Sequence, residues 1–181
     1  MRRPALLVFL TTALTAVALG GTLAAQKPAA PAVLPVIVLD TVKGPIEIEL
    51  WPTEAPKSVE HILALVRRNF YRGLRFHWVN SAVAQVGDPA TRDVTKKESW
   101  GQGGSGTKIG VEEFSKRKFA RGSVGISHRD GAKNSDSQIF VSKAANPNLD
   151  GKYIMIGRVT KGIDVVDKLA VMDILRNVTV K

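Results

Sequence analysis

Three histidines, His61, His77 and His128, and the lack of any cysteine set narrow limits on the chemistry open to this chain. Without thiols there is no cysteine nucleophile, no CxxC redox pair and no cysteine zinc site. The histidines share no helical ligand spacing, and no carboxylate completes a metal pattern, so no metal is expected. The serines lie outside any G-x-S-x-G elbow, which argues against hydrolysis through a serine triad. The run Gly101-Gln102-Gly103-Gly104-Ser105-Gly106 lacks the Lys-Ser/Thr ending and the following helix of a phosphate loop, and is expected to be a flexible surface loop. Lys116, Arg117, Lys118 and Arg121 could contact phosphates. They are interleaved only with Phe119 and follow Glu112-Glu113, so a solvated loop is the expectation and nucleic acid is not an expected partner.

The elements that would position these residues are short and mostly extended. Val36–Thr41 is a β-branched run, Lys43-Gly44-Pro45 is a turn, and Ile46, Ile48 and Leu50 alternate with Glu47 and Glu49, which predicts two strands joined tightly. A helix follows with Pro56 in its first turn, and Val59, Ile62, Leu63 and Val66 on one face; His61 sits between them in a partly solvated packing role. Leu74–Val79, Ala82–Val86, Gly122–Ser127, Gln138–Val141, Ile154–Val159 and Val178–Val180 are further strands, and Gly162 opens a second short helix. Between them, Gly87–Thr107 reads as one long polar loop, a length that is usually functional or mobile. Many short strands with two helices predict a mainly β architecture, a barrel or sandwich with helical plugs.

The composition, with 44% hydrophobic and 23% charged residues, is that of an ordinary folded domain and excludes wholesale disorder. The first 25 residues differ: Arg2 and Arg3 precede an apolar run from Ala5 to Leu19, and small residues follow at Thr22, Ala24 and Ala25. This is the pattern of an export signal, with an uncleaved membrane anchor as the alternative. Residues 26–35 are Pro- and Ala-rich and read as an extended tether, which leaves 36–181 as one domain. Without the two leader arginines, 24 basic residues face 16 acidic ones. Export without cysteines is compatible with a bacterial periplasm.

The order of the motifs is more telling than any one of them. Ile46–Pro52 (IEIELWP), Ala55–Val66 (APKSVEHILALV), Tyr71-Arg72-Gly73, Arg75–Val79 (RFHWV), Gln85–Asp88, Gly101–Gly106, Ser137–Val141 (SQIFV), Asn148–Tyr153 (NLDGKY) and Gly162–Asp167 follow one another as they do in cyclophilin-type peptidyl-prolyl cis-trans isomerases of the compact bacterial kind, which the chain resembles from Val36 to Lys181. The resemblance implies a closed eight-stranded antiparallel β-barrel capped by two α-helices, a site that uses no cofactor, and proline-containing segments of exported proteins as partners. A monomer is the default, with membrane contact only through an uncleaved leader.

By the same resemblance the catalytic positions are Gln85, His77 and Trp78, and the substrate-binding positions are Val83, Ser127, His128, Gln138, Phe140, Leu149 and Tyr153. Trp78 stands where the family has its catalytic arginine, offering one neutral donor in place of five charged ones. Strand alternation puts Arg75 on the face opposite Trp78, so it can substitute only through a bulge; His128 or Arg129 could reach in from another segment. The stretch from Phe76 to Gln85 is one residue short, which puts Ala82 and Val83 where larger pocket residues are usual, and Asn148 replaces an aromatic. Two functions are therefore expected to compete: a weakened prolyl isomerase, and an inactive barrel that binds peptides as a chaperone or adaptor. Asn177-Val178-Thr179 is a glycosylation pattern that matters only in a eukaryotic secretory pathway.

Overall fold

The β-branched and alternating runs of this chain pair into one antiparallel sheet in a computed structural model, which describes residues 33–107, 109, 112, 114–128 and 136–181. The leader, most of the tether and Arg129 lie outside the described residues. The strands are β1 (Val36–Thr41), β2 (Gly44–Leu50), β3 (Leu74–Arg75), β4 (Trp78–Val79), β5 (Val83–Val86), β6 (Ser123–Ile126), β7 (Ile139–Ser142), β8 (Ile154–Lys161) and β9 (Ile174–Val180), in the spatial order β3-β9-β1-β2-β8-β6-β7-β5-β4. The helices are α1 (Pro56–Arg67) and α2 (Ile163–Lys168). The fold is thus mainly β, as expected.

The strand count and closure differ from the expected closed barrel of eight. The sequence predicts one strand over Leu74–Val79; the chain forms two, because the backbone changes partners within it. Phe76 N–H donates to Asp173 O on the β9 side, and His77 N–H donates to Gln85 O on the β5 side. Hence β3 and β4 stand at opposite ends of the sheet order although only two residues separate them. At about 3.3 Å per residue, that tether obliges the sheet to curl back on itself. Among the described residues no ladder joins β3 to β4.

The inward faces fill a core that includes Ile37, Leu39, Ile46, Ile48, Phe76, Val124, Ile126 and Ile156, with Val59, Ile62 and Val66 of α1 packed into it. The helix starts at Pro56 with no cap from Ala55 and no acidic residue in its first turn. Its free N–H groups are served from far along the chain instead: Glu112 accepts from the N–H of Lys57 and Ser58 and from Ser58 Oγ.

The loop 87–107 is less irregular than expected, since it contains two short 3₁₀ turns, Pro89–Arg92 and Val94–Ser99. The basic cluster is solvated, as expected, but it is also paired. Arg117 lies 4.6 Å over the Trp51 ring and bonds Glu54, and Arg121 forms a two-pronged pair with Asp167. Asn177 sits within β9 opposite Asp40, its Oδ1 buried, a placement unsuited to glycosylation. Among the described residues no helix is long and apolar enough to cross a membrane, and no His/Asp/Glu group could hold a metal ion.

Candidate active site

The partner change at Phe76 and His77 decides which side chains face outward together. Trp78 pairs with Gln85, Gln85 with Phe140, and Phe140 with Gly125. Directly opposed residues on neighbouring strands project to the same face, so indole, amide and phenyl ring form one transverse row. Gly125 closes that row because nothing larger fits: a Cβ there would lie 2.5 Å from Phe140 Cζ and 3.0 Å from Phe119 Cε1.

Above this row is a pocket of about 210 Å³ lined by Trp78, Val83, Gln85, Ser127, Phe140, Leu149 and Tyr153. Its floor is Phe140, 3% exposed, stacked on Phe119 with ring centres 5.6 Å apart and met edge-on by Tyr153 at 5.3 Å. Leu149 comes from the short turn Pro147–Leu149, and the next residue, Asp150, ties that turn down by accepting Phe119 N–H at 2.7 Å. Asn148, beside Leu149, is exposed. Among the described residues the lining carries no charged side chain.

Seven of the ten residues expected at the site line this pocket; the other three support it. Gln138 is 2% exposed, and its amide is fully engaged. Its Nε2 donates to Gly101 O and Gly103 O, and its Oε1 accepts from Gln85 Nε2. His77 lies one layer behind Gln85, with the two Nε2 atoms 3.4 Å apart. Burial holds its imidazole below the usual histidine pKa and outweighs the opposing pull of Asp88, so the ring is neutral at pH 7. His128 stacks on Tyr153 at 4.4 Å and shapes the rim from outside.

Arg75 does not reach the pocket: its guanidinium donates to Thr91 O and Arg92 O, as strand alternation demands. The Gly-rich loop is pinned rather than flexible at this point. Gly103 N–H donates to Asp88 Oδ2, while the Gly101 and Gly103 carbonyls receive Gln138. This scaffold under Gln85 was not visible from residue types, nor were Gly125 and Asp150; only the Asp88-Pro89 turn start carried a local signal.

Residues 36–181 match the family model described as cyclophilin type peptidyl-prolyl cis-trans isomerase/CLD. The chain is 36% identical over 137 residues to a probable peptidyl-prolyl cis-trans isomerase of Brucella suis, covering 74% of this chain and 70% of that one. It is 35% identical over 144 residues to a peptidyl-prolyl cis-trans isomerase of Helicobacter pylori, covering 77% and 83%. Among solved structures, a cyclophilin type peptidyl-prolyl cis-trans isomerase of Cryptosporidium parvum, crystallised in the presence of the dipeptide Ala-Pro, shares the fold with TM-score 0.68 at 21% identity, over 81% of this chain and 98% of that one. From the motif order, the nine-stranded sheet and these relatives, the chain belongs to the cyclophilin-type peptidyl-prolyl cis-trans isomerase family.

Proposed function

We propose that the chain is a peptidyl-prolyl cis-trans isomerase acting, as a monomer, on exported proteins, with turnover reduced by Trp78. The observation that carries this reading is the uncharged pocket floored by Phe140 and bordered by the Gln85 amide. An X-Pro bond is nearly balanced between its isomers, yet the barrier is about 18–20 kcal/mol. No covalent bond has to form, so a site without nucleophile, metal or cofactor suffices. The pyrrolidine ring sits on Phe140, between Leu149 and Val83, while polar groups at the rim hold the neighbouring peptide units. Rotation then proceeds away from water, with the twisted amide favoured over either planar form. Ala-Pro in the crystals of the Cryptosporidium protein supports the choice of ligand.

Trp78 supplies one neutral N–H where the family has a guanidinium. Losing such a donor costs about 10²–10³ in rate, which slows an efficient isomerase without abolishing it. The basic start, apolar run and small-residue end of residues 1–25 support action on exported chains. The uncharged lining also favours a second reading, a module that holds proline segments without turnover.

Exchange spectroscopy on an Ala-Pro peptide, with the wild-type chain and with Trp78→Arg, separates the two. Weak exchange that rises at least tenfold in the variant supports the isomerase. Binding without exchange in both supports the module.

A further inference from the structure

The pocket is larger than a proline ring requires, and the surplus has a chemical character. An apolar cavity of roughly 150 Å³ accepts a whole benzene ring, which is bigger than pyrrolidine; this one measures about 210 Å³. The rim residue with free surface is Trp78, 59% exposed, whereas Phe140 on the floor is 3% exposed. Of the large apolar side chains exposed among the described residues, Trp78 is the one that lines this pocket. Its strand position beside Gln85 holds the indole at the end of the row that starts at the pocket floor.

Resting on the isomerase-site reading of this pocket, we propose that Trp78 is a specificity-determining residue that receives the side chain flanking the proline and selects peptides in which that side chain is aromatic. An aromatic flank can meet the indole edge-to-face or offset-stacked while the proline occupies the floor. An acidic flank finds no cation among the described lining residues and would lose water for nothing in return. A basic flank can lie over the indole but approaches against the excess of ten positive charges on the chain, a field that draws an acidic flank in with no described lining cation to receive it. An alanine flank leaves the indole in water. The order expected is therefore aromatic, then aliphatic, then acidic.

The test uses the full chain and two sets of short peptides, Xaa-Pro-Ala and Ala-Pro-Xaa, with Xaa as Phe, Leu, Ala or Glu. Dissociation constants come from chemical-shift titration and isomerisation rates from exchange spectroscopy, for wild type, Trp78→Ala and Trp78→Phe. We expect Phe to be preferred over Ala in at least one position by about two- to tenfold, the size of an aromatic pair, expressed in binding more than in the rate at saturation. The ratio should fall to about one in Trp78→Ala and survive in part in Trp78→Phe. Equal handling of Phe and Ala by the wild type, or a preference that persists in Trp78→Ala, overturns the assignment while leaving the isomerase reading intact. Preferential binding without exchange supports the assignment and removes the isomerase. Loss of all binding removes both.

Discussion

Gln85 donates its Nε2 to Gln138 Oε1 at 2.7 Å, and this one bond fixes which way both amides face. Gln138 has given its own Nε2 to the carbonyls of Gly101 and Gly103, which can only accept. Its oxygen must therefore point at Gln85, and Gln85 must turn its nitrogen inward. A chain of hydrogen bonds thus runs from the glycine-rich loop through Gln138, just ahead of β7, to the pocket wall, and it places the Gln85 oxygen opposite its committed nitrogen.

Gln138→Leu cuts that chain while keeping most of the volume. It frees the Gln85 amide to rotate and leaves two carbonyls without their donor. Isomerisation at saturating peptide should fall about five- to tenfold, the worth of roughly one hydrogen bond. Gln138→Glu cannot donate to the two carbonyls, and should be at least as damaging. Rates unchanged in both variants would mean that Gln85 is held by something else.

Gly125→Ala tests the pocket floor. The added methyl would sit 2.5 Å from Phe140 Cζ, with Phe119 closing the way back at 3.0 Å. The ring must lift into the pocket. Overpacking of this kind costs about 1–3 kcal/mol, and peptide affinity should weaken about tenfold. Titration with an Ala-Pro peptide beside a urea melt separates the two effects.

His77 sets a pH dependence of known sign. Its folded pKa is lowered by burial, whereas an unfolded histidine titrates near 6.5. Between these values the unfolded chain binds the extra proton, so stability is complete above about pH 6.5 and falls as pH drops toward the lowered folded value. Urea midpoints measured from pH 7.5 to 5 should decline, and decline less in His77→Gln, which removes the titrating group. An identical decline in both would mean that His77 does not set the pH dependence.

Glu112→Ala addresses the fold apart from the site. The carboxylate is the acceptor for the first turn of α1, which has no acidic residue of its own. Bonds to a charged group contribute about 1.5–3 kcal/mol, so melting should fall by roughly 3–12 °C for a chain of this size. Activity well below the melting point should be retained.

What the sequence disclosed, and what it hid, follows from the range of the interactions. The hairpin Val36–Leu50 and helix Pro56–Arg67 were legible because alternation and three-to-four spacing are local records of one buried face. The pocket residues Val83, Gln85, Phe140, Leu149 and Tyr153 were legible through the order of the motifs, which carries a family resemblance even where each motif is short. The break at Phe76 and His77 was not, since the change of strand partner there depends on Asp173, distant in the chain, as well as on the nearer Gln85. The two 3₁₀ turns could have been found: Asp88 and Asp93 each accept a backbone N–H two residues on, the signature of Asp at a turn start. Glu112–Phe114 belongs to the same motif order, but the capping role of Glu112 could not be read, because a carboxylate that serves a helix more than fifty residues away leaves no local pattern.

The most direct measurement is cis–trans exchange of an Ala-Pro peptide catalysed by the wild-type chain and by Phe140→Ala and Gln85→Ala. Exchange above the uncatalysed rate in the wild type, lost in both variants while their folds persist by circular dichroism, is the predicted result. Exchange that survives in both would place the chemistry outside this pocket and contradict the account.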